Sequence, residues 1–307
     1  MKPIVVVGSI NIDFVVTTDT IPVPGETVRG NDFQLHPGGK GANQAVAVAR
    51  LGYPVEMIGR VGSDLFGERL IADLRGAGVG TSAVEETEGS SGVATITVAA
   101  GGENTIVITP GANAAVTPEF IERHSARIRG AGLVLAQLEI PMESVNHLAA
   151  LCQRTGVPLI LDPAPARALG PEVLPALEWL TPNETEAAFY AEAMGMGEAG
   201  PQALATALLA GGARGVVLKM GANGALLATA DGAQHRLSPF EVEAVDTTAA
   251  GDAFNGAFAA GLMLGMSATD AGRFACAAAA ISVTGRGAQP SMPDRAAVDA
   301  LLLAEPR

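Results

Sequence analysis

With 307 residues, 48% of them hydrophobic, the chain has enough apolar content to bury a large core in one α/β domain with a small appendage, which excludes a disordered protein. A net charge of −13 argues against a partner such as nucleic acid, whose binders gather basic surface, but it is compatible with a small phosphorylated ligand where positive groups are concentrated locally. Apolar stretches are interrupted before the roughly 20 residues a bilayer span needs, the N-terminal MKPIVVVGSINID lacks a signal-peptide pattern, and Cys152 and Cys276 have no CxxC context, so a cytoplasmic protein with reduced thiols and no membrane partner is expected.

Residues 3–8 (PIVVVG) read as a buried strand ended by Gly8. Asn11 and Asp13 follow it, either where a ligand binds beyond the carboxyl end of a strand or as an Asx turn leaving it. Residues 14–35 then break into short β-like runs around the proline-rich IPVPGE, too much chain for a simple connection, and read as an inserted flap. Residues 92–109 alternate strongly and turn at Gly101-Gly102-Glu103-Asn104, giving a hairpin able to pair with that flap. The exposed small sheet so formed requires a cover: a substrate, a neighbouring element or a second subunit.

Between these, Gly38-Gly39-Lys40-Gly41-Ala42-Asn43 precedes an alanine-rich helix closed by Gly52. The chain has three lysines, Lys2, Lys40 and Lys219, and the last two sit in glycine-bearing turns. Chance in an arginine-rich chain accounts for this, and so does a local need for a compact point charge. From residue 55 onward strands alternate with helices, which implies a mostly parallel sheet covered on both faces, a three-layer α/β/α domain. Glu139, Asp162, Asn183 with Glu186, and Lys219 stand at successive strand ends, on one rim; Asn183-Glu184-Thr185-Glu186 also reads as a capping box. The GxGxxG match at Gly195–Gly200 follows a helical pattern rather than a strand, which discounts a dinucleotide site, and there is no P-loop, HExxH or GxSxG motif.

The stretch from Val245 to Gly256 joins a loop of small residues to an apolar helix. Small side chains at 247–251 let backbone N–H groups approach a ligand, and the helix start adds unpaired donors and the positive end of the macrodipole, making an anion site. Asp252 there is either a cap satisfying those donors or a base held beside the anion.

Two stretches carry a resemblance. Gly38 to Ala45, with Gly52 and Gly62 at later spacing, and Asp246 to Ala259 match in order and separation the two signatures of the ribokinase family of sugar and nucleoside kinases, also called the phosphofructokinase-B family. The likeness extends over nearly the whole length, including Gly8-Ser9-Ile10-Asn11-Ile12-Asp13, Thr181 to Glu186 and Gly287-Ala288-Gln289-Pro290-Ser291. It implies a ribokinase-like fold with residues 1–13, 36–91 and 110–307 in the main domain and 14–35 and 92–109 in a β lid; the two flap hairpins themselves suggest a homodimer in which each small sheet packs on its partner. The resemblance implies ATP-dependent phosphorylation of D-ribose at O5, or of deoxyribose, fructose, adenosine or pseudouridine; a silent sugar-binding module is the rival from another class.

The same resemblance assigns roles. Asp252 would be the base and the N–H groups of Ala249, Ala250, Gly251 and Asp252 an anion hole. Asn11, Asp13, Gly39, Lys40, Asn43 and Glu139 would hold the sugar. Asn183, Glu186, Lys219, Gly221, Asn223, Gly224, Gly251 and Cys276 would serve the nucleotide, with Mg²⁺ placed through water by Asn183 and Glu186. Asp246, Thr248, Ser282, Gly285, Gly287 and Ser291 would hold K⁺. Two positions depart from the family's usual pattern: Lys219 stands where a small hydroxyl residue is usual, and Cys276 where a polar one is.

Overall fold

A computed structural model describes residues 1–197 and 199–305. In chain order, β1 (Ile4–Val7) runs into β2 (Asn11–Thr18) and its return β3 (Gly30–Gly38), after which α1 (Lys40–Arg50) begins. Next come β4 (Val55–Gly62), α2 (Gly67–Gly76), β5 (Gly80–Thr87), the hairpin β6 (Gly92–Ala99) and β7 (Asn104–Thr109), and the short helices α3 (Pro118–Arg123) and α4 (Ser125–Gly130). A regular alternation follows: β8 (Leu133–Ala136), α5 (Met142–Thr155), β9 (Leu159–Leu161), α6 (Val173–Ala176), β10 (Trp179–Leu180), α7 (Glu184–Ala193), α8 (Pro201–Ala210) and β11 (Gly215–Lys219). The chain ends with β12 (Ala225–Thr229), β13 (Gln234–Leu237), α9 (Ala250–Met263), α10 (Ala268–Ser282) and α11 (Arg295–Ala304).

Among the described residues the main sheet has nine strands in the order β13-β12-β11-β10-β9-β8-β1-β4-β5. It is parallel from β11 to β5, with β12 and β13 added antiparallel at one edge. Strand β1 explains the layering. Ile4 and Val6 join a core cluster with Ala45 of α1 and Phe254 and Phe258 of α9, while Val5 and Val7 join another with Ile121 of α3 and Leu148 of α5. Alternate side chains therefore pack to opposite faces, each fully buried Val or Leu stabilising by roughly 1.5–3 kcal/mol, which is why the run is apolar throughout.

The small sheet has the order β3-β2-β6-β7, with β2 and β6 parallel and the two outer pairs antiparallel. Its strands begin at Asn11 and end at Gly38, outside the 14–35 span expected from the sequence. Asn11 and Asp13 thus stand on β2 itself, and not on a turn leaving β1, because Asn11 pairs with both Gly38 and Gly92. Residues opposite one another across strands share a face. Asp13, Ala94 and Ile108 lie on one face, and Phe14, Thr95 and Val107 on the other.

Among the described residues, no helix is long and apolar enough to cross a membrane. The discounted GxGxxG match occupies the connection between α7 and α8, with Gly195 and Gly197 at positive φ; Glu198 within it lies outside the described residues.

Candidate active site

Helix α9 starts without a side-chain cap among the described residues, its N-cap being Ala249 at φ 59°. It is the single non-glycine residue at positive φ among those described, a conformation costly for a residue with a Cβ. Asp252, two residues into the helix, is buried and turned toward α1. Asn43 Nδ2 donates to its Oδ2 and Gln44 Nε2 to its Oδ1, both at 3.0 Å. The capping alternative therefore fails: this carboxylate is held by side chains of α1. Burial pushes its pKa up, while Lys40 and the two amide hydrogen bonds oppose the shift.

What brings α1 and α9 so close is Gly256, where a Cβ would stand 2.6 Å from Ala47 Cβ and 2.8 Å from Gln44 O. At the other end of α1, Gly39 (φ 88°) and Gly41 let the helix start press onto the backbone of Ser9.

A cavity of about 620 Å³ opens above this point. Asn11, Asp13, Gly39, Lys40, Asn43, Glu139 and Asp252, the whole predicted sugar set, line it, and so do Ala94, Ile96 and Ile108 from the inner face of the small sheet. Asn113 Nδ2 donates to Asn11 Oδ1 at 2.7 Å, a contact that a side chain at position 92 would block. Glu139 Oε2 accepts from Ser9 Oγ (2.5 Å) and from the N–H of Lys40 (3.2 Å). Asp13 Oδ1 is buried without a hydrogen-bond partner among the described residues, an arrangement a ligand hydroxyl would satisfy. Burial, reinforced by Glu139 and Asp252, raises the Asp13 pKa to about 7. The Lys40 ammonium is held above its ordinary range: burial opposes its charge, but Asp252, Asp162, Glu139 and Glu186 together prevail.

A second cavity of about 540 Å³ adjoins the first, walled by Val242, Phe254, Cys276, Ala280 and Val283 and floored by the turn at Gly221, Ala222 and Gly224. Its apolar walls suit a flat heterocycle. Burial lifts the Cys276 thiol to about 12, so it packs as a small apolar group. Lys219, Gly221, Gly224, Gly251 and Cys276 line this cavity as predicted; Asn183 and Glu186 line the first one instead, and Asn223 lines neither. Asn183 and Glu186 also form the anticipated capping box of α7, with Glu186 N–H donating to Asn183 Oδ1 (2.9 Å) and Asn183 N–H to Glu186 Oε2 (2.6 Å).

A third group gathers behind the α9 loop. Asp246 accepts from the N–H of Thr248 (2.9 Å) and of Gly287 (2.8 Å), and the N–H groups of Val245 and Asp246 both donate to Val283 O, next to Ser282. Ser291 packs on Gly285. Burial raises the Asp246 pKa, but those hydrogen bonds and Arg286 outweigh it and the group stays below the ordinary carboxylate range. Oxygen donors with one retained negative charge fit a hard cation.

Sequence reasoning placed Asp162 on the rim without a role and missed Gln44, Gln137 and Gln289. Gln44 Nε2 donates to Asp162 Oδ2 (3.0 Å) as well as to Asp252; Gln137 Nε2 donates to Gln44 Oε1 (2.5 Å); Gln289 Nε2 donates to Asn43 Oδ1 (3.3 Å). The one available signal was that Gln44 directly follows Asn43 in the glycine-rich stretch.

Comparison with known proteins gives this geometry its context. Residues 1–295 match the pfkB family carbohydrate kinase model. Ribokinase of Bacillus subtilis (strain 168) is 43% identical over 303 residues, 98% of this chain and 100% of the relative. Deoxyribokinase of Salmonella typhi is 38% identical over 292 residues, 94% of this chain and 95% of the relative. The solved structure of Arabidopsis thaliana ribokinase complexed with ribose and ATP is similar with a TM-score of 0.90 and 36% identity, covering 98% of each chain. With two adjoining cavities meeting at the small-residue start of α9, and with matches of this extent, the chain belongs to the pfkB family of carbohydrate kinases.

Proposed function

We propose that the protein transfers the γ-phosphoryl group of ATP to O5 of D-ribose, giving D-ribose 5-phosphate and ADP. The observation that carries this reading is the position of Asp252, a buried carboxylate at the first turn of α9 where the polar and apolar cavities meet. Ribose occupies the polar cavity, its hydroxyls bound by Asn11, Asp13, Gly39, Lys40, Asn43 and Glu139. Asp252, its pKa raised and its plane fixed by Asn43 and Gln44, accepts the O5 proton as the hydroxyl attacks. The first bond inside α9 runs from Ala253 N–H to Ala249 O, so the N–H groups of Gly251 and Asp252 precede it and face the developing phosphoryl charge. The ATP base lies against Phe254, Cys276 and Val283, and its phosphates run along Gly221 and Gly251 toward the sugar.

Two cations complete the reading. Asn183 and Glu186 line the cavity and, through water, would hold Mg²⁺, which when bound neutralises phosphate charge. Asp246, Thr248, Ser282, Gly285, Gly287 and Ser291 would hold K⁺; Gly287–Asp246 and Gln289–Asn43 contacts run from that loop to the base. The small sheet acts as a lid that excludes water from the sugar, and pairs with its counterpart in a homodimer. Support for the pairing is the exposed apolar surface of Phe33 and Val107 on the outer face of the sheet in the single chain.

Sugar-dependent ADP release with ribose, 2-deoxyribose, fructose and adenosine, each in K⁺ and Na⁺, tests the reading. Ribose in K⁺ is expected to give the highest kcat/KM, and Asp252→Asn to lower kcat by about 10²–10⁴-fold, the range of a positioned base. Preference for another acceptor overturns the substrate, and sugar binding without turnover overturns the enzyme.

A further inference from the structure

The two cavities touch along a seam, and the residues lining both are Lys219, Gly221, Thr247, Ala250 and Gly251. Among the described residues, Lys219 is the one charged side chain on that seam. Its Nζ lies 3.5 Å from where a Cβ on Gly251 would stand, so the ammonium and the first N–H groups of α9 converge on one spot. Asp162 Oδ1 holds Nζ at 2.9 Å. The other Asp162 oxygen accepts from Gln44 Nε2, the amide that also donates to Asp252 Oδ1. Cation and base are thus fixed on one buried network, on either side of the place where the two cavities join.

The pair is asymmetric. The Asp162 side chain is 2% exposed and lines the polar cavity alone, whereas that of Lys219 keeps 11% and lines both cavities, so it is the cation that reaches the seam. An ammonium has three donors, and Asp162 engages one. Strand β11 ends at Lys219, whose N–H is tied to Pro182 O at 2.8 Å, so the side chain starts from a fixed backbone. A flexible cation anchored at its base and at its tip is well placed to meet a charge that moves from one cavity to the other.

Resting on the phosphoryl-transfer reading above, we propose that Lys219 is a catalytic residue that contacts the transferred phosphoryl group. In that step a bond forms between sugar O5 and the γ-phosphorus while the bond from phosphorus to the β,γ-bridging oxygen breaks. The bridging oxygen keeps the electron pair and leaves as ADP, and the O5 proton passes to Asp252. The non-bridging oxygens cross the seam and exchange their contact with the nucleotide side for one with the sugar side. Lys219 stays in reach throughout, as its lining of both cavities requires.

The test uses Lys219→Met, which keeps length and removes charge, and Lys219→Met combined with Asp162→Asn, which leaves no unpaired buried carboxylate should the single variant fail to fold. Binding of a non-hydrolysable ATP analogue and of AMP is measured calorimetrically in Mg²⁺ without sugar, and kcat and sugar KM by ADP release. Triphosphate affinity is expected to fall about 10- to 100-fold, the size of a charge-assisted hydrogen bond, with AMP affinity changed less than about threefold. In the enzyme assay kcat falls by a similar factor while the sugar KM moves less than about threefold. Triphosphate affinity within about threefold of the parent, or an equal loss for AMP, overturns the proposal. A parent protein that phosphorylates none of the sugars overturns the kinase reading instead, and the split between triphosphate and AMP still decides whether Lys219 meets phosphate.

Discussion

At the scale of single residues, Asp252 illustrates how neighbours assign a role. Its position near a helix start is that of a cap, yet Ala249 takes the N-cap place and Asn43 and Gln44 claim the carboxylate. Asp13 is the more informative titration. Its pKa rises from 3.8 to about 7 in the fold, so the folded chain binds that proton more tightly than the unfolded one. The resulting stabilisation is complete below about pH 4 and is lost as pH rises through about 7. Asp252 is shifted in the same direction. The sugar-free protein is therefore expected to lose urea resistance across this window, and Asp13→Asn to make the decline shallower. Parallel pH profiles for the two proteins would remove Asp13 from the cause.

At the scale of elements, the site depends on two helices whose backbones touch. Gly256 lets α9 lie on α1, and the same contact brings Gln44 within reach of Asp252 and Asp162. Gly256→Ala is expected to cost about 1–3 kcal/mol through overpacking, and to lower kcat by displacing Gln44. Adding Ala47→Gly removes the nearest obstacle and restores part of the stability, measured by urea unfolding, but the clash with Gln44 O remains and kcat stays low. Full recovery of kcat in the double variant would separate helix spacing from base positioning. The continuous apolar run of β1 and the AFNGAFAAGLML run made the buried strand and helix legible in the sequence. The distance between α1 and α9 was not, because a glycine inside a helix looks the same whether it packs against a neighbour or against nothing.

For the whole molecule, the lid is the part whose surroundings one chain leaves incomplete. One face of its sheet, through Asp13, Ala94, Ile96 and Ile108, closes the sugar cavity; on the other, Phe33 and Val107 are 55% and 66% exposed. Phe14 covers part of that outer face by packing on Phe33 and on Phe66, with ring centroids 6.0 and 5.5 Å apart. Charges placed there, Phe33→Lys with Val107→Lys, are expected to convert the proposed dimer to a monomer by light scattering while the main domain keeps its thermal transition. A monomeric parent protein would discard the lid-mediated dimer.

Local pattern determined the strand–helix alternation, the flap and its partner hairpin, the two glycine-rich stretches and the gathering of polar residues at strand ends, because periodicity and turn chemistry act over a few residues. The convergence of two of three lysines on one site was visible only as a coincidence of glycine turns until Lys40 and Lys219 appeared on the wall of one cavity. Tertiary structure alone decided that Asn11 and Asp13 belong to a lid strand, that Gln137, Gln44, Asp162 and Lys219 form one network with Asp252, and that two cavities share a seam. Each of these joins segments tens to hundreds of residues apart, such as Gln44 with Asp252, and a hydrogen bond at 3.0 Å between them exists only after the whole sheet has fixed where each strand ends.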